Sequence, residues 1–558
     1  MQEHILIIGA NAAGAKAASK AKRLSPKTVI TVIDRGSFIS YGACGIPYFV
    51  SDTVSDEKEL MSTPVGVVRD PAFFKKVKGV EVITETEAVA IDRDKKLVTL
   101  HANASGTTSV IAYDRLILAT GSSPVIPPLP GSNLSGIITV KSIEDAVLLK
   151  EMALSGNRAC VIGAGLIGLE TVEALAIRGM QVTVIEMRDQ ILPGILDPEM
   201  ATLLEKSIAQ HGVTIMTSCR LSGFSGNGSV DTVMTDLGEL PTDLVVMAIG
   251  AKPNAELARS AGLTIGATGA IVVDDHLRTS DPAIYACGDC CETVNLVTGQ
   301  KIYAPMGSTA NKQGRVAAIN ATGGNATFAG VLGTAILKVF DVNAGKTGMT
   351  EAAARAAGYD VETVLSPAPD RAHFYPSAKP IALKLVADKS TGRLLGLQAV
   401  GSGSVDKRID VAATAITFNA TADQISHLDL GYAPPFSAAM DNLIVAADIL
   451  KNKLSGHARG ISPFEVKRKM EDDEDDFILL DVRSPAEHDT VRIAGAKLVP
   501  LGALREKLDS LPMDKEIVAF CKISLRGYEA QKILNAAGFT NVSFMDGGIL
   551  TWPFELDK

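Results

Sequence analysis

Arg158-Ala159-Cys160-Val161-Ile162, running straight into Gly163-Ala164-Gly165-Leu166-Ile167-Gly168, is the stretch on which the fold turns. Its first five residues read as a buried parallel strand. Its three glycines sit where a strand must bend sharply into a helix. One permits the turn, one lets a pyrophosphate approach the backbone, and one lets helix and strand pack closely, while the helix N-terminus offers N–H groups to phosphate. The following strand, Gln181 to Ile185, ends at Glu186, an acid suited to a free ribose 2′-hydroxyl. Gly163, Gly165, Gly168 and Glu186 are therefore candidate contacts for NAD(P)H. Glu186 favours NADH, and Arg188 leaves NADPH open.

The same pattern occurs earlier. Ile5-Leu6-Ile7-Ile8 leads into Gly9-Ala10-Asn11-Ala12-Ala13-Gly14, then an Ala-rich helix, then a strand from Thr28 to Ile33 that ends at Asp34 and Arg35. Asn11 replaces the middle glycine, but the strand–turn–helix context and the acid at the right distance keep the reading. Each unit is followed by an apolar strand ending in a glycine turn, Leu116 to Thr120-Gly121 and Leu244 to Gly250. A further strand, Ile284 to Cys287-Gly288-Asp289, ends in an acid suited to a sugar-like hydroxyl at a sheet's C-terminal edge. The repetition reads as two related nucleotide domains, one inserted into the other. The expected boundaries are 1–120 with 251–325 for the first and 121–250 for the second. Gly9, Ala12, Ala13, Gly14, Asp34, Arg35, Thr120, Gly121 and Asp289 line the first cradle on this reading.

Between these units lies Ser40-Tyr41-Gly42-Ala43-Cys44-Gly45-Ile46-Pro47-Tyr48, with one cysteine and no partner four or five residues away. Pro47 suits the first turn of a helix. A thiol at a helix start feels the positive end of the dipole, so Cys44 is expected as a thiolate-forming redox sulfur facing a flavin.

The 558 residues suffice for about three or four domains. With 46% hydrophobic and 21% charged residues the composition is that of a globular protein, and a net charge of −9 argues against nucleic acid as the main partner. Seven cysteines are too few for a disulfide framework in so long a chain and suit a reducing, cytoplasmic setting. No targeting segment is expected, since Met1 to His4 is not basic and the apolar run Ile5 to Ile8 is short, and no apolar run approaches the roughly eighteen residues a membrane span needs. Cys287, Cys290 and Cys291 include a Cys-x-x-Cys spacing, but no second pair or nearby histidine completes a metal site, and packing beside the cofactor is the simpler reading.

The two fingerprints, the Ala119-Thr120-Gly121 turn, the Cys287-Gly288-Asp289 strand end and the single Cys44 resemble the flavin-dependent pyridine nucleotide–disulfide oxidoreductases. Within them the chain is similar to the coenzyme A-disulfide reductases and their NADH-dependent persulfide reductase relatives. The resemblance covers about the first 450 residues. It implies FAD on the first nucleotide domain, NAD(P)H on the second, and a homodimer formed through a dimerisation domain at 326–450. It also implies that Tyr375 and Tyr432, in His373-Phe374-Tyr375-Pro376 and Gly431-Tyr432-Ala433-Pro434-Pro435, reach the partner subunit's active site. A neutral phenol there could protonate a departing thiolate. Lys16, Lys20 and Arg23 share one helix face with Lys22 beside them; with Ser40 they match contacts to coenzyme A, and Lys76 and Lys78 could extend the patch. Three positions depart from relatives: Ala12 where peroxidases and oxidases place a histidine, Ala43 for an asparagine, and Met440 for a lysine.

Lys451 to Gly460 reads as a polar linker (451–460), and 461–558 as a separate α/β domain. Glu471 to Asp476 is an acidic run expected in an exposed loop. Ile517 to Phe520 ends at Cys521, and the loop Cys521-Lys522-Ile523-Ser524-Leu525-Arg526 enters a helix. A cysteine so placed points its sulfur at converging N–H groups that stabilise a thiolate or persulfide. This element resembles a rhodanese domain, with Arg526 closing the loop.

The fold expected is therefore α/β: two nested Rossmann-like nucleotide-binding domains, an α+β dimerisation domain and a C-terminal rhodanese-like domain. The function expected is NAD(P)H-dependent reduction of an S–S bond in coenzyme A persulfide, coenzyme A disulfide or polysulfide at Cys44, with Cys521 handling sulfane sulfur. The alternatives are an NADH oxidase or peroxidase cycling a sulfenate, which Ala12 disfavours, and a sulfur-binding redox sensor.

Overall fold

Each glycine fingerprint stands at the C-terminal end of the central strand of a five-stranded parallel sheet in the computed structural model, which describes residues 3–472 and 477–557. In the first sheet the order is Ile284–Ala286, Arg115–Leu118, His4–Ile8, Val29–Ile33 and Glu81–Ile83. In the second it is Thr214–Met216, Gln181–Ile185, Arg158–Ile162, Leu244–Met247 and Ile137–Thr139. The strands are apolar along their length because both faces are covered: Ile5, Leu6, Ile7, Leu116 and Ile117 are fully buried. A three-stranded antiparallel meander follows each unit, Thr86–Asp92 to Thr108–Ala112 and Leu221–Ser225 to Gly238–Pro241. The two halves therefore repeat one plan, as expected.

Alanine decides how the first sheet is covered. Ala13, Ala17, Ala18 and Ala21 are buried on the helix Ala12–Leu24, which lies against the helix Gly307–Ala321. The contact is so close that a Cβ on Gly314 would stand 2.3 Å from the Ala13 carbonyl oxygen.

These two sheets lie in one compact unit, Met1–Met187 with Val213–Val331; Arg188–Gly212 and Leu332–Lys558 form a second. The second unit holds an antiparallel sheet in the order Ala335–Val339, Val342–Gly348, Leu394–Gly401, Pro380–Asp388, Val361–Pro369. The helix Pro198–Gln210, expected within the 121–250 domain, packs on this sheet instead. Lys384 explains why: its buried ammonium lies 3.2 Å from Asp197, 3.1 Å from Glu199 and 2.8 Å from Glu351.

The second unit also holds a parallel sheet in the order Gly460–Ile461, Val542–Met545, Glu516–Phe520, Phe477–Asp481, Lys497–Leu498. The expected linker 451–460 is shorter than its polarity suggested. The helix Asn442–Leu454 continues through Lys451 and Lys453, because Lys453 is a buried, ion-paired lysine rather than a solvated one. Of the acidic run, Glu471 ends the helix Pro463–Glu471, and 473–476 lie outside the described residues. Among the described residues no helix is long and apolar enough to cross a membrane.

Candidate active site

Cys44 sits in a tight turn, Ala43–Gly45, leading into the short helix Ile46–Val50 with Pro47 in its first turn. That helix packs on two others, Leu166–Ile177, which follows the second fingerprint, and Ile143–Met152. The cysteine is thus held between the two nucleotide cradles. It is the one exposed cysteine; the other six are buried. A Cβ on Gly307 would lie 4.0 Å from its sulfur, so the thiol stands at the start of the helix Gly307–Ala321.

The expected easy ionisation is not what the surroundings of Cys44 favour. Desolvation pushes its thiol up, and the carboxylates of Glu170 and Asp289 add to the rise; its own backbone N–H and Lys141 act in the opposite direction. A five-residue helix has too few aligned peptides to outweigh partial desolvation and two nearby acids. Glu170, absent from the sequence reading, belongs to this site. Burial, with Glu173 nearby, pushes it up to about 7. Its signal was visible as an acid pair three residues apart on the fingerprint helix.

The glycines of the first cradle leave room for a dinucleotide. A Cβ on Gly9 (φ +105°) would meet the Ala119 carbonyl oxygen at 2.2 Å, and one on Gly14 would meet the Gly9 oxygen at 1.8 Å. Gly163 (φ +101°) and Gly168 repeat this in the second cradle at 2.6 and 2.0 Å, whereas a Cβ on Gly165 would meet nothing within 4 Å. The backbone is therefore bare where a pyrophosphate would lie. Asn11 Oδ1 is buried without a hydrogen-bond partner among the described residues, leaving an unmet polar atom in the first cradle. Ala12 and Ala13 open the helix behind it.

The acids are held ready. Asp34 accepts from the Ala10 and Gly36 N–H groups at 2.6 and 2.8 Å, yet burial still raises its pKa. Glu186 accepts from the Ala164 N–H at 3.0 Å. Asp289 accepts from the Ser122 hydroxyl at 3.0 Å and lies 3.9 Å from Lys141, whose ammonium also donates to Ser122 at 3.1 Å. Lys141 was not anticipated. The Thr120-Gly121 turn is locked by Asn254, which accepts from the Thr120 hydroxyl through its carbonyl and donates its side-chain amide to the Thr120 carbonyl. Arg35 is exposed beside Asp34. These residues fit FAD on the first cradle and NAD(P)H on the second.

Among the described residues Lys16, Lys20 and Arg23 make no ion pair or hydrogen bond through their side chains, so their charge is available to a ligand. Lys22 is committed elsewhere, donating to the Thr28 carbonyl at 2.8 Å, and Lys78 lies 5.3 Å above the Phe73 ring. Lys76 is exposed. Ser40 has φ +53° and donates its N–H to Ala10, which places it beside the first glycine loop.

In the second unit, Tyr375 is half-buried and Tyr432 is 52% exposed. Their loops are tied together by Arg371, which donates to Ser377 Oγ at 3.1 Å and to the Pro435 carbonyl at 3.0 Å while pairing with Asp370 at 2.7 Å.

Cys521 follows the strand Glu516–Phe520 and is 1% exposed. Arg526 does more than close its loop: the guanidinium makes a bidentate pair with Glu487 at 2.7 and 2.8 Å, which pushes the Glu487 carboxyl down to about 2. Glu487 escaped the sequence reading, although Ser484-Pro485-Ala486-Glu487 is a visible capping box. Cys287, Cys290 and Cys291 are buried, with burial pushing each thiol up, and Cys290 donates to the Leu118 carbonyl.

Two nucleotide cradles flanking one open cysteine define a class, and comparison with known proteins places the chain in it. The chain belongs to the pyridine nucleotide-disulphide oxidoreductases: the family model matches residues 3–314, that of the family's dimerisation domain 334–444, and a rhodanese-like domain model 462–553. The family implies flavin and NAD(P)H as cofactors. The chain is similar to an NAD(P)H sulfur oxidoreductase (CoA-dependent) of Pyrococcus abyssi, 38% identical over 81% of this chain and 99% of that protein. Its fold is similar to an NAD-dependent persulfide reductase from A. fulgidus (47% identity, TM-score 0.94, covering 98% of this chain and 100% of that one). It is also similar to a reduced CoADR-RHD from Bacillus anthracis (33% identity, TM-score 0.93, 99% and 98%).

Proposed function

We propose that this enzyme uses NADH to reduce the S–S bond of coenzyme A persulfide, coenzyme A disulfide or polysulfide at Cys44. The observation that carries the reading is the lone open sulfur of Cys44, in a turn whose following helix packs on the second cradle while the sulfur itself faces the start of the helix Gly307–Ala321. FAD, when bound along Gly9–Gly14 and Asp289, supplies two-electron relay between nicotinamide and sulfur. The Cys44 thiolate attacks one substrate sulfur, the S–S bond breaks, and the departing sulfur leaves with the bonding pair. The leaving thiolate takes its proton from Tyr375 or Tyr432, which in a homodimer built through residues 330–450 serve the opposite subunit. Two electrons from NADH then break the S–S bond between Cys44 and the captured sulfur, returning Cys44 to thiolate and releasing that sulfur as a second thiol or as sulfide. Lys16, Lys20, Arg23 and Ser40 hold the phosphates of the coenzyme A moiety. Cys521 carries sulfane sulfur, with Arg526 and Glu487 shaping its loop, in a reducing cytoplasm. The likeness to the Pyrococcus abyssi NAD(P)H sulfur oxidoreductase (CoA-dependent) and to the A. fulgidus NAD-dependent persulfide reductase supports the same chemistry.

The test is an NADH-coupled panel with coenzyme A disulfide, coenzyme A persulfide, polysulfide and oxygen as acceptors, run on wild type, Cys44→Ser and Cys521→Ser. Cys44→Ser is expected to abolish reduction of every sulfur substrate, and Cys521→Ser to affect only substrates whose sulfur must be handed over. Oxygen outpacing all three sulfur acceptors would overturn the reading in favour of an oxidase.

A further inference from the structure

The loop that carries Cys521 is held by groups outside its own strand and helix. Ser524 is buried, at 4% exposure, with φ +91°, a conformation that a side-chain-bearing residue adopts only when its surroundings impose it. What imposes it is visible. Gly547 donates its N–H to Ser524 Oγ at 2.6 Å, and Ile549 donates to the Cys521 carbonyl at 2.9 Å. The segment Asp546-Gly547-Gly548-Ile549 thus forms the wall against which the sulfur-bearing loop is moulded.

That wall is anchored in turn. Asp546 is buried, its N–H donates to Ile461, and its Oδ2 accepts from Lys453 Nζ at 2.8 Å. Lys453 stands on the last turn of Asn442–Leu454, a helix packed on the antiparallel sheet rather than on the sheet that carries Cys521. It donates also to the Thr363 carbonyl at 2.6 Å and lies 3.2 Å from Glu362, both on that antiparallel sheet. A 4%-exposed ammonium therefore joins two sheets within one unit, and one of its partners, Asp546, stands three residues before the isoleucine that donates to the Cys521 carbonyl. A buried pair of this kind is weak evidence for stability; register and placement are its best-attested uses.

We propose that Lys453 is a positioning residue for sulfur transfer at Cys521, acting through Asp546 and the Gly547–Ser524 hydrogen bond to hold the sulfur-bearing loop in its working shape. The proposal rests on Cys521 as the sulfur carrier and extends that reading beyond the rhodanese-like domain: the transfer loop depends on a residue of the helix Asn442–Leu454, which packs on the antiparallel sheet. The rhodanese-like domain is then a docked part of the second unit and not a carrier swinging on a linker.

The test uses the full chain, thiosulfate as sulfur donor and cyanide as acceptor. The Cys521 thiolate attacks the outer sulfur of thiosulfate, sulfite departs with the S–S pair, and cyanide removes the sulfur as thiocyanate, restoring the thiolate. In Lys453→Met, kcat should fall about tenfold to a hundredfold, the scale of a misplaced reacting group, with KM for thiosulfate little changed. Asp546→Asn should reproduce the loss with a gentler change, since Glu362 still faces Lys453; it serves if Lys453→Met does not fold. Lys451→Met, which removes a more exposed cation from the same turn, should leave kcat unchanged. Ser524→Ala should lose activity and Ser524→Gly recover much of it, because glycine adopts φ +91° without help. The double variant Asp546→Asn/Ser524→Ala should lose no more than the worse single variant, the signature of one path. Full kcat in Lys453→Met and Asp546→Asn, or strictly additive losses in the double variant, overturns the proposal while leaving Cys521 in place. Activity surviving Cys521→Ser overturns the reading beneath it, and the proposal with it.

Discussion

Glu170 and Glu173 share a face of the helix Leu166–Ile177, and Glu170 stands close enough to Cys44 to raise its thiol. With its pKa near 7, Glu170 changes charge in the range where the enzyme would work, so the sulfur's reactivity follows that carboxyl. The sign is set by electrostatics: a negative neighbour disfavours a thiolate, so removing it lowers the thiol pKa. Glu170→Gln is therefore expected to speed alkylation of Cys44 by iodoacetamide about threefold at about pH 8, where the wild-type carboxyl is ionised, and to flatten the rate profile near neutrality. A slower rate in the variant would mean that Glu170 assists the thiolate. Cys44 itself was legible in the sequence because an unpaired cysteine beside a helix-starting proline is a local pattern. Its acidic company was not, because Glu170 and Asp289 arrive from distant parts of the chain.

At the scale of elements, the turn into the helix Pro485–Thr490 and the loop into Leu525–Ala536 are one device. Ser484 and Glu487 form a reciprocal cap, and the Glu487 carboxylate also takes both arms of Arg526. The folded-state pKa of Glu487 is depressed from 4.5 to about 2, so its contribution is fully present above about pH 4.5 and is lost as pH falls through about 2. The pair is one-third exposed, which limits its worth to about 1 kcal/mol despite good geometry. Urea unfolding of Glu487→Gln is expected to show that deficit at about pH 6 and almost none at about pH 2. A deficit of equal size at both would place the cost in lost packing. The motif Cys521 to Arg526 was readable as an element, yet what Arg526 binds was not, since the two elements lie about forty residues apart and meet only in the fold.

The whole molecule depends on buried ion pairs that the sequence shows only as scattered charges. Lys384 is 4% exposed and held charged by Glu199, Asp197 and Glu351, which fasten the helix Pro198–Gln210 to the sheet of the second unit. Lys384→Met strands three carboxylates and is expected to cost about 3–5 kcal/mol in chemical denaturation. A cost below about 1 kcal/mol would mean that water reaches the cluster. The fold class and the order of the pyridine nucleotide-disulphide oxidoreductase, dimerisation and rhodanese-like regions were determined by the sequence alone, because strands and glycine turns are set by neighbours along the chain. Tertiary structure alone decided that Pro198–Gln210 leaves its expected domain, that the supposed linker begins as a helix, and that Cys44 is raised rather than lowered. Each of these turns on desolvation and on charges brought together from far along the chain, quantities that exist only once the interior has closed around them.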